Sequence, residues 1–154
     1  MWSLEVIAKK VLKLNETDAL KVVTGNRSIH FEALRLNRQV QLYEKGVGVD
    51  GRTLRSVYAR GGAVYSPNTE FIKREKGQPI NRVTLRDTGA FYSTFKVKTI
   101  ANGDLVIDAN TIKDGEDLQD NFGIVIGLTD ESKDVLRERA KPLIMIYVKS
   151  KILR

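Results

Sequence analysis

Cysteine is absent from the 154 residues. Its absence excludes disulfides and thiolate metal sites and is compatible with synthesis in a cytosol. No apolar run approaches the roughly 18 residues needed to cross a bilayer, so no membrane partner is expected. The first fourteen residues, MWSLEVIAKKVLKL, lack the unbroken apolar core and small-residue cleavage site of a secretory leader, and they carry Glu5. They read as a short amphipathic helix, with Met1 as the expected start. Histidine occurs once, as His30, and proline three times. A lone histidine on a helical segment is more often a surface or packing residue than a base, and neither a Ser-His-Asp arrangement nor a metal cluster is recognisable around it.

What is present is ordinary for a globular chain: 42% apolar and 29% charged residues. The length suits one domain, 1–154, with its own core. The net charge of +7 is unevenly spread. From Arg27 to Lys98 there are 14 Lys/Arg against 6 Asp/Glu, and from Thr99 to Arg154 there are 8 against 10. Such polarity can steer a nucleic acid or bring the basic face of one copy to the acidic face of another, although a merely solvated basic surface reads the same way.

Apolar spacing predicts a helix over 3–14. A second, capped by Asn15 with Asp18 at its third position, runs to about Val23. A longer one over 29–45 is stopped by Gly46 in a left-handed cap. From 46 to 66 the chain turns glycine-rich, with Asp50-Gly51 a turn signal, and reads as an extended arm or long loop. Short strands at 53–58 and 63–65 are one form it can take. Ser66 as cap and Pro67 at the first helical position open a helix to Glu75, stopped by Gly77. Residues 78–82 form a turn and Val83 to Leu85 an apolar strand.

A β-hairpin is expected over about 94–109, turning at Asn102-Gly103-Asp104. Glu116 to Leu118 reads as one helical turn. Thr129 caps a last helix, which Pro142 kinks or divides into 130–140 and 142–152. The fold class is therefore α+β: a helix-rich single domain with a small antiparallel sheet, a Gly-rich arm and a long C-terminal helix kinked at Pro142.

Leu85 to Ala90 reads LRDTGA, and Asp-Thr-Gly is the signature triplet of aspartic proteases. Those enzymes need two carboxylates sharing a proton, so a chain this short would have to dimerise to supply them. Ile124-Val125-Ile126-Gly127 resembles their supporting element. Arg86, however, favours an ionised Asp87, and the helical remainder does not match their all-β architecture. The structural alternative has Asp87 or Thr88 capping a helical turn, Gly89 permitting an unusual dihedral, and Phe91, Tyr92 and Phe95 entering the core. Asp87 is read as a cap.

Gly46 to Gly51 lacks the Lys-Ser/Thr of a phosphate loop, and Asp50, Asp104, Asp108, Asp114, Glu116 and Asp117 match no twelve-residue calcium loop. No catalytic residue, cofactor or metal is expected. Arg52, Arg55 and Arg60, interleaved with Tyr58 and Tyr65, are the candidates for contacting nucleic acid or a neighbouring protein.

Taken in order, "QLYEKGVGVDGRTL", "YSPNTEFIKREKGQP", "NRVTLRDTGAFYSTFKV", "DANTIKDGEDLQDNFG" and "IGLTDES" resemble a group of uncharacterised tailed-phage and prophage proteins from the gut Bacteroides lineage. The resemblance covers roughly residues 36–132. More distantly, the Asp50-Gly51 turn, Tyr65-Ser66-Pro67 and the Leu85 to Phe91 segment with Asp87-Thr88-Gly89 look like phage virion morphogenesis and tail-completion proteins of the head–tail connector. The resemblance implies a non-enzymatic virion component, made in the bacterial host cytoplasm. It would be assembled at the neck as a homo-oligomeric ring around the DNA passage, between the portal and adjacent connector or tail proteins. The chain departs from the group in a longer spacing over Ser56 to Val64, which places Arg60 in an extra loop. A small basic DNA-binding or packaging-accessory protein is the competing expectation.

Overall fold

The computed structural model describes residues 3–11 and 14–153. In chain order the elements are α1 (Leu4–Val11), α2 (Glu16–Thr24), α3 (Arg27–Arg35) with a π-helical continuation (Leu36–Lys45), α4 (Pro67–Glu75) and α5 (Ala90–Ser93). They continue with β1 (Lys96–Thr99), β2 (Leu105–Asp108), β3 (Ile112–Lys113), β4 (Glu116–Asp117), α6 (Leu118–Phe122) and α7 (Asp130–Ile152). This is the expected α+β mixture with helix in the majority.

Local chemistry places most of the helix ends. The Asn15 side chain accepts from the amides of Thr17 (2.9 Å) and Asp18 (3.3 Å), satisfying two of the donors that a helix start leaves free. Thr129 Oγ1 accepts from Ser132 N at 3.1 Å to open α7, and Ser66 Oγ from Thr69 N at 3.4 Å to open α4. Residues 12 and 13 of the expected first helix lie outside the described residues. The Asn26 side chain starts α3 two residues earlier than the apolar spacing suggested. Gly46, at φ 63, ends the π-helical continuation as expected. A Cβ there would lie 2.9 Å from both Arg82 Cβ and the Val83 carbonyl oxygen, so glycine is required for space as well as for dihedral.

One expectation is narrowed and another corrected. Of the two outcomes at Pro142, division is ruled out, since α7 is continuous from Asp130 to Ile152 with Pro142 inside it. Its contacts with α1, α2 and α3 compensate for the hydrogen bond that proline cannot make. Glu116 and Asp117 are extended and pair with Lys113 and Ile112, so the helical turn begins only at Leu118, capped by the Asp117 carboxylate on Gln119 N at 2.8 Å. Asp114 and Gly115, both at positive φ, form the tight turn that this pairing needs.

The β1–β2 hairpin appears where expected, in the register Lys96↔Asp108 to Thr99↔Leu105. Its turn docks on the end of α2. Thr24 Oγ1 donates to the Gly103 carbonyl (2.8 Å), and the Thr24 carbonyl accepts from Thr99 Oγ1 (2.7 Å). His30 Nε2 lies 2.5 Å from that same carbonyl, which gives the single histidine a structural contact.

The core gathers Leu42, Leu54, Tyr65, Val83, Phe95 and Val125. Two amides tie it together. Asn37, fully buried, donates from Nδ2 to the Val125 carbonyl (3.0 Å) and accepts on Oδ1 from Gly127 N (3.0 Å). Gln41 donates to the Gly127 carbonyl and accepts from Thr129 N, both at 2.9 Å. One face of the π-helical segment therefore acts as a strand partner for residues 125–129, satisfying backbone groups that have no sheet neighbour. Arg35 holds Glu32 through two hydrogen bonds of 2.8 and 2.9 Å, and Arg139 of α7 lies 4.0 Å from the same carboxylate.

Candidate functional site

Residues 46–66 are not an extended arm. Leu54 N donates to the Gly46 carbonyl (2.8 Å), Gly48 N to the Arg52 carbonyl (3.0 Å), and Val47 bridges Thr53, so 46–54 folds into a closed turn around Asp50-Gly51. Asp50 Oδ1 accepts from Arg52 N at 3.0 Å, the hydrogen bond that makes the Asp-Gly turn. The second half is a loop closed by Ser56 N on the Val64 carbonyl (3.0 Å) rather than a pair of strands. Both halves dock on one segment: Val49 N donates to the Ile124 carbonyl, and Ser56 Oγ and Val57 N reach Asn121 Oδ1 at 3.0 and 2.9 Å. Leu54 is buried beneath them. A long loop is tolerated here because its polar backbone is paired and Leu54 anchors it in the core.

Of the five contact candidates, Arg52, Arg55, Tyr58 and Arg60 are exposed, with Tyr58 beside exposed Val57. Tyr65 is corrected. Only 3% of it is accessible, its hydroxyl accepts from Thr84 N (3.1 Å), and burial raises its pKa, so it cannot stack on a base. The ring packs in the core with Leu42, Leu54, Val83, Phe95 and Val125.

A second feature lies on the other side of Tyr65. A groove of about 490 Å³ opens between α4, the LRDTGA segment, the β3–β4 hairpin and α6. Its walls are mainly apolar, from Ile72, Leu85, Phe91, Ile112, Leu118 and Phe122, and Asp87, Thr88 and Gly89 lie along its rim. The cap reading of Asp87 is corrected here. Thr88 Oγ1 accepts from Ala90 N at 3.3 Å, while Asp87 Oδ1 accepts from Lys76 Nζ at 2.7 Å and lies 3.4 Å from Gln78 Nε2. The hydrogen bond from Lys76 holds the Asp87 carboxyl below the usual carboxylate range. Gly89, at φ 89, supplies the unusual dihedral that admits Phe91 and Tyr92 to the core, as expected. Leu85 also has positive φ, at 51°, which is uncommon for a branched residue and marks a strained bend at the groove wall.

Lys73 is the residue that sequence reading missed. It is 7% exposed, its Nζ donates to Gln78 Oε1 at 3.2 Å, and it stands 5.0 Å from the centre of the Tyr65 ring. Burial pushes its pKa down. Nothing in "FIKREKG" separates Lys73 from its exposed neighbours Arg74 and Lys76 except its phase on the helix, one turn on from Thr69.

Among the described residues, no three His, Cys, Asp or Glu side chains gather as a metal site. No described helix is long and apolar enough to cross a membrane. Large apolar side chains stand exposed on several elements: Val57 and Tyr58 on the loop, Phe71 and Ile72 on α4 with Ile112 opposite, and Ile144, Met145 and Ile146 on α7. Comparison with protein-family models, curated proteins and solved structures found no match.

Proposed function

We propose that this chain is a structural virion protein of a tailed phage, forming a ring in the head–tail connector around the DNA passage. The observation that carries the reading is the presence of unpartnered apolar faces on different elements. Phe71 and Ile72 stand exposed on α4, and Ile144, Met145 and Ile146 on α7. Exposed apolar clusters of this kind mark surfaces that partners cover. A ring requires a heterologous contact, in which one face of each subunit meets a different face of the next. The resemblance over 36–132 and the basic middle of the chain point the same way. Arg52, Arg55 and Arg60 are assigned to an adjacent ring, the portal or the DNA, in contacts without base readout.

The test is mass measurement of the purified protein together with its detection in purified virions. A closed oligomer and a fixed copy number per particle are the expected results, and absence from virions overturns the reading. Replacing Ile146 by Asp should reduce ring formation while leaving the subunit folded.

The second reading, a DNA-binding packaging accessory, is favoured by the exposed arginines beside Tyr58. It requires DNA affinity that falls steeply with salt and loses slope when Arg52, Arg55 and Arg60 are removed. A ring with negligible DNA affinity rejects it.

A further inference from the structure

The groove beside Asp87 combines an apolar enclosure with a buried cation that makes no ion pair, the Asp87 carboxylate acting on it only at longer range. Lys73 forms no ion pair among the described residues, and its hydrogen-bond acceptor is the neutral oxygen of Gln78. An ammonium has three donors, so one acceptor and an aromatic face leave it under-satisfied. A charge held out of water is costly until an opposite charge joins it. The nearest candidate, Asp87, is engaged by Lys76 at 2.7 Å and is itself part-exposed at the rim. Four cations, Lys73, Lys76, Arg86 and Lys113, line the groove with this one carboxylate, so the groove concentrates anions. Its volume of about 490 Å³ is that of a small-ligand site.

We propose that the groove binds a carboxylate borne on an apolar group, with the Lys73 ammonium receiving the charge and Leu85, Phe91, Leu118 and Phe122 enclosing the apolar part. Lys76, Arg86 and Lys113 are exposed, so the one buried ammonium, with donors to spare, matches a monovalent carboxylate. A phosphate brings nearly twice the charge and three strong acceptor oxygens, most of which would face hydrocarbon here. The inference is tested apart from the connector reading, because the titration reads ligand binding by the subunit and not ring formation or virion content. The chemistry is shared by a free fatty acid and by the end of an apolar peptide.

The experiment titrates the full chain with decanoate, decanol and acetate, and with acetylated tri-leucine as free acid and as amide, followed by NMR of the backbone and lysine side chains. Decanoate is expected to bind at least about ten-fold more tightly than decanol. Acetate should bind weakly, and the Lys73 signals should move. Lys73→Met, close in volume and without the charge, should keep decanol binding and lose the preference for decanoate. Asp87→Asn, which removes the competing carboxylate, should tighten decanoate binding. If the peptide acid outcompetes decanoate, the natural ligand is a chain end, and if not, a lipid-like acid. No saturable decanoate binding, equal affinity for decanol, or a Lys73→Met variant that retains the preference overturns the proposal. Lys73→Gln serves if the methionine variant does not fold.

Discussion

Replacing Asn37 by Leu removes both arms of a buried amide while nearly conserving its shape. The Val125 carbonyl and the Gly127 amide then lose their partners at 3.0 Å, in a region where Asn37 and Val125 are fully inaccessible. Each orphaned buried polar group costs about 1–3 kcal/mol, and the gain from burying a leucine in place of an amide offsets about 1–2 kcal/mol of the total. The net expectation is a loss of about 1–4 kcal/mol. With a urea dependence of about 2 kcal/mol per molar, the unfolding midpoint falls by roughly 0.5–2 M. Equilibrium urea unfolding followed by circular dichroism reads this directly. Gln39→Ala is the control, since its amide reaches only the exposed Glu44 side chain at 3.2 Å; it should stay within about 0.5 kcal/mol of the parent. Asn37 and Gln41 both bond Gly127, so the double variant should show a coupling of about 0.5–3 kcal/mol. If Asn37→Leu leaves the midpoint unmoved, the amide ladder does not hold residues 125–129 and the account of the core is wrong.

Two glycines with similar dihedrals separate strain from crowding. Gly46→Ala places a Cβ 2.9 Å from backbone and side-chain atoms and should cost about 2–4 kcal/mol by thermal melting, whereas Gly61→Ala, at φ 59 with open space around it, should cost only about 1 kcal/mol. Equal losses would show that the close approach at Gly46 is relieved by relaxation. Asp87→Ala should lower stability by less than about 1 kcal/mol, because its ion pair with Lys76 is 40–46% exposed. The folded-state pKa of Asp87 is depressed, so its contribution is present above the unfolded value of about 3.9 and is lost as pH falls through the lower folded value. Parent and variant stability curves should therefore converge in acid, and a gap that persists below pH ~2 would contradict this. Thr129→Ala, which deletes the buried cap of α7, should cost about 1–2 kcal/mol in the same melts.

The particulars explain where sequence reading stops. Caps and turns depend on residues within four positions of one another, so Asn15, Ser66, Thr129, Gly46 and the Asn102–Asp104 turn could be placed from the sequence, and the structure puts them there. The hairpin over 94–109 is local in the same sense. Tyr65 was misplaced because interleaving with arginines describes a surface only when the backbone keeps to the surface. Asp87 was misread because a short polar residue before Gly is a cap in most settings, and nothing local announces Lys76, eleven residues earlier, as its partner. The arm became a folded loop for a related reason: its anchors, Asn121 and Ile124, lie more than sixty residues away.

By itself the sequence determined the α+β class, the starts of α2, α4 and α7, the hairpin and the basic character of the middle of the chain, since each follows from short-range hydrogen bonding, apolar phase or a count of charges. Tertiary structure alone decided that Asn37 and Gln41 act as a strand for 125–129, that LRDTGA forms the rim of a groove, and that Lys73 is buried in it, hydrogen-bonded among the described residues only to the neutral Gln78 side chain. Those outcomes depend on which distant segments exclude water from which side chains. Burial by remote segments has no local signature, and here it turns an ordinary helical lysine into the most chemically distinctive group in the chain.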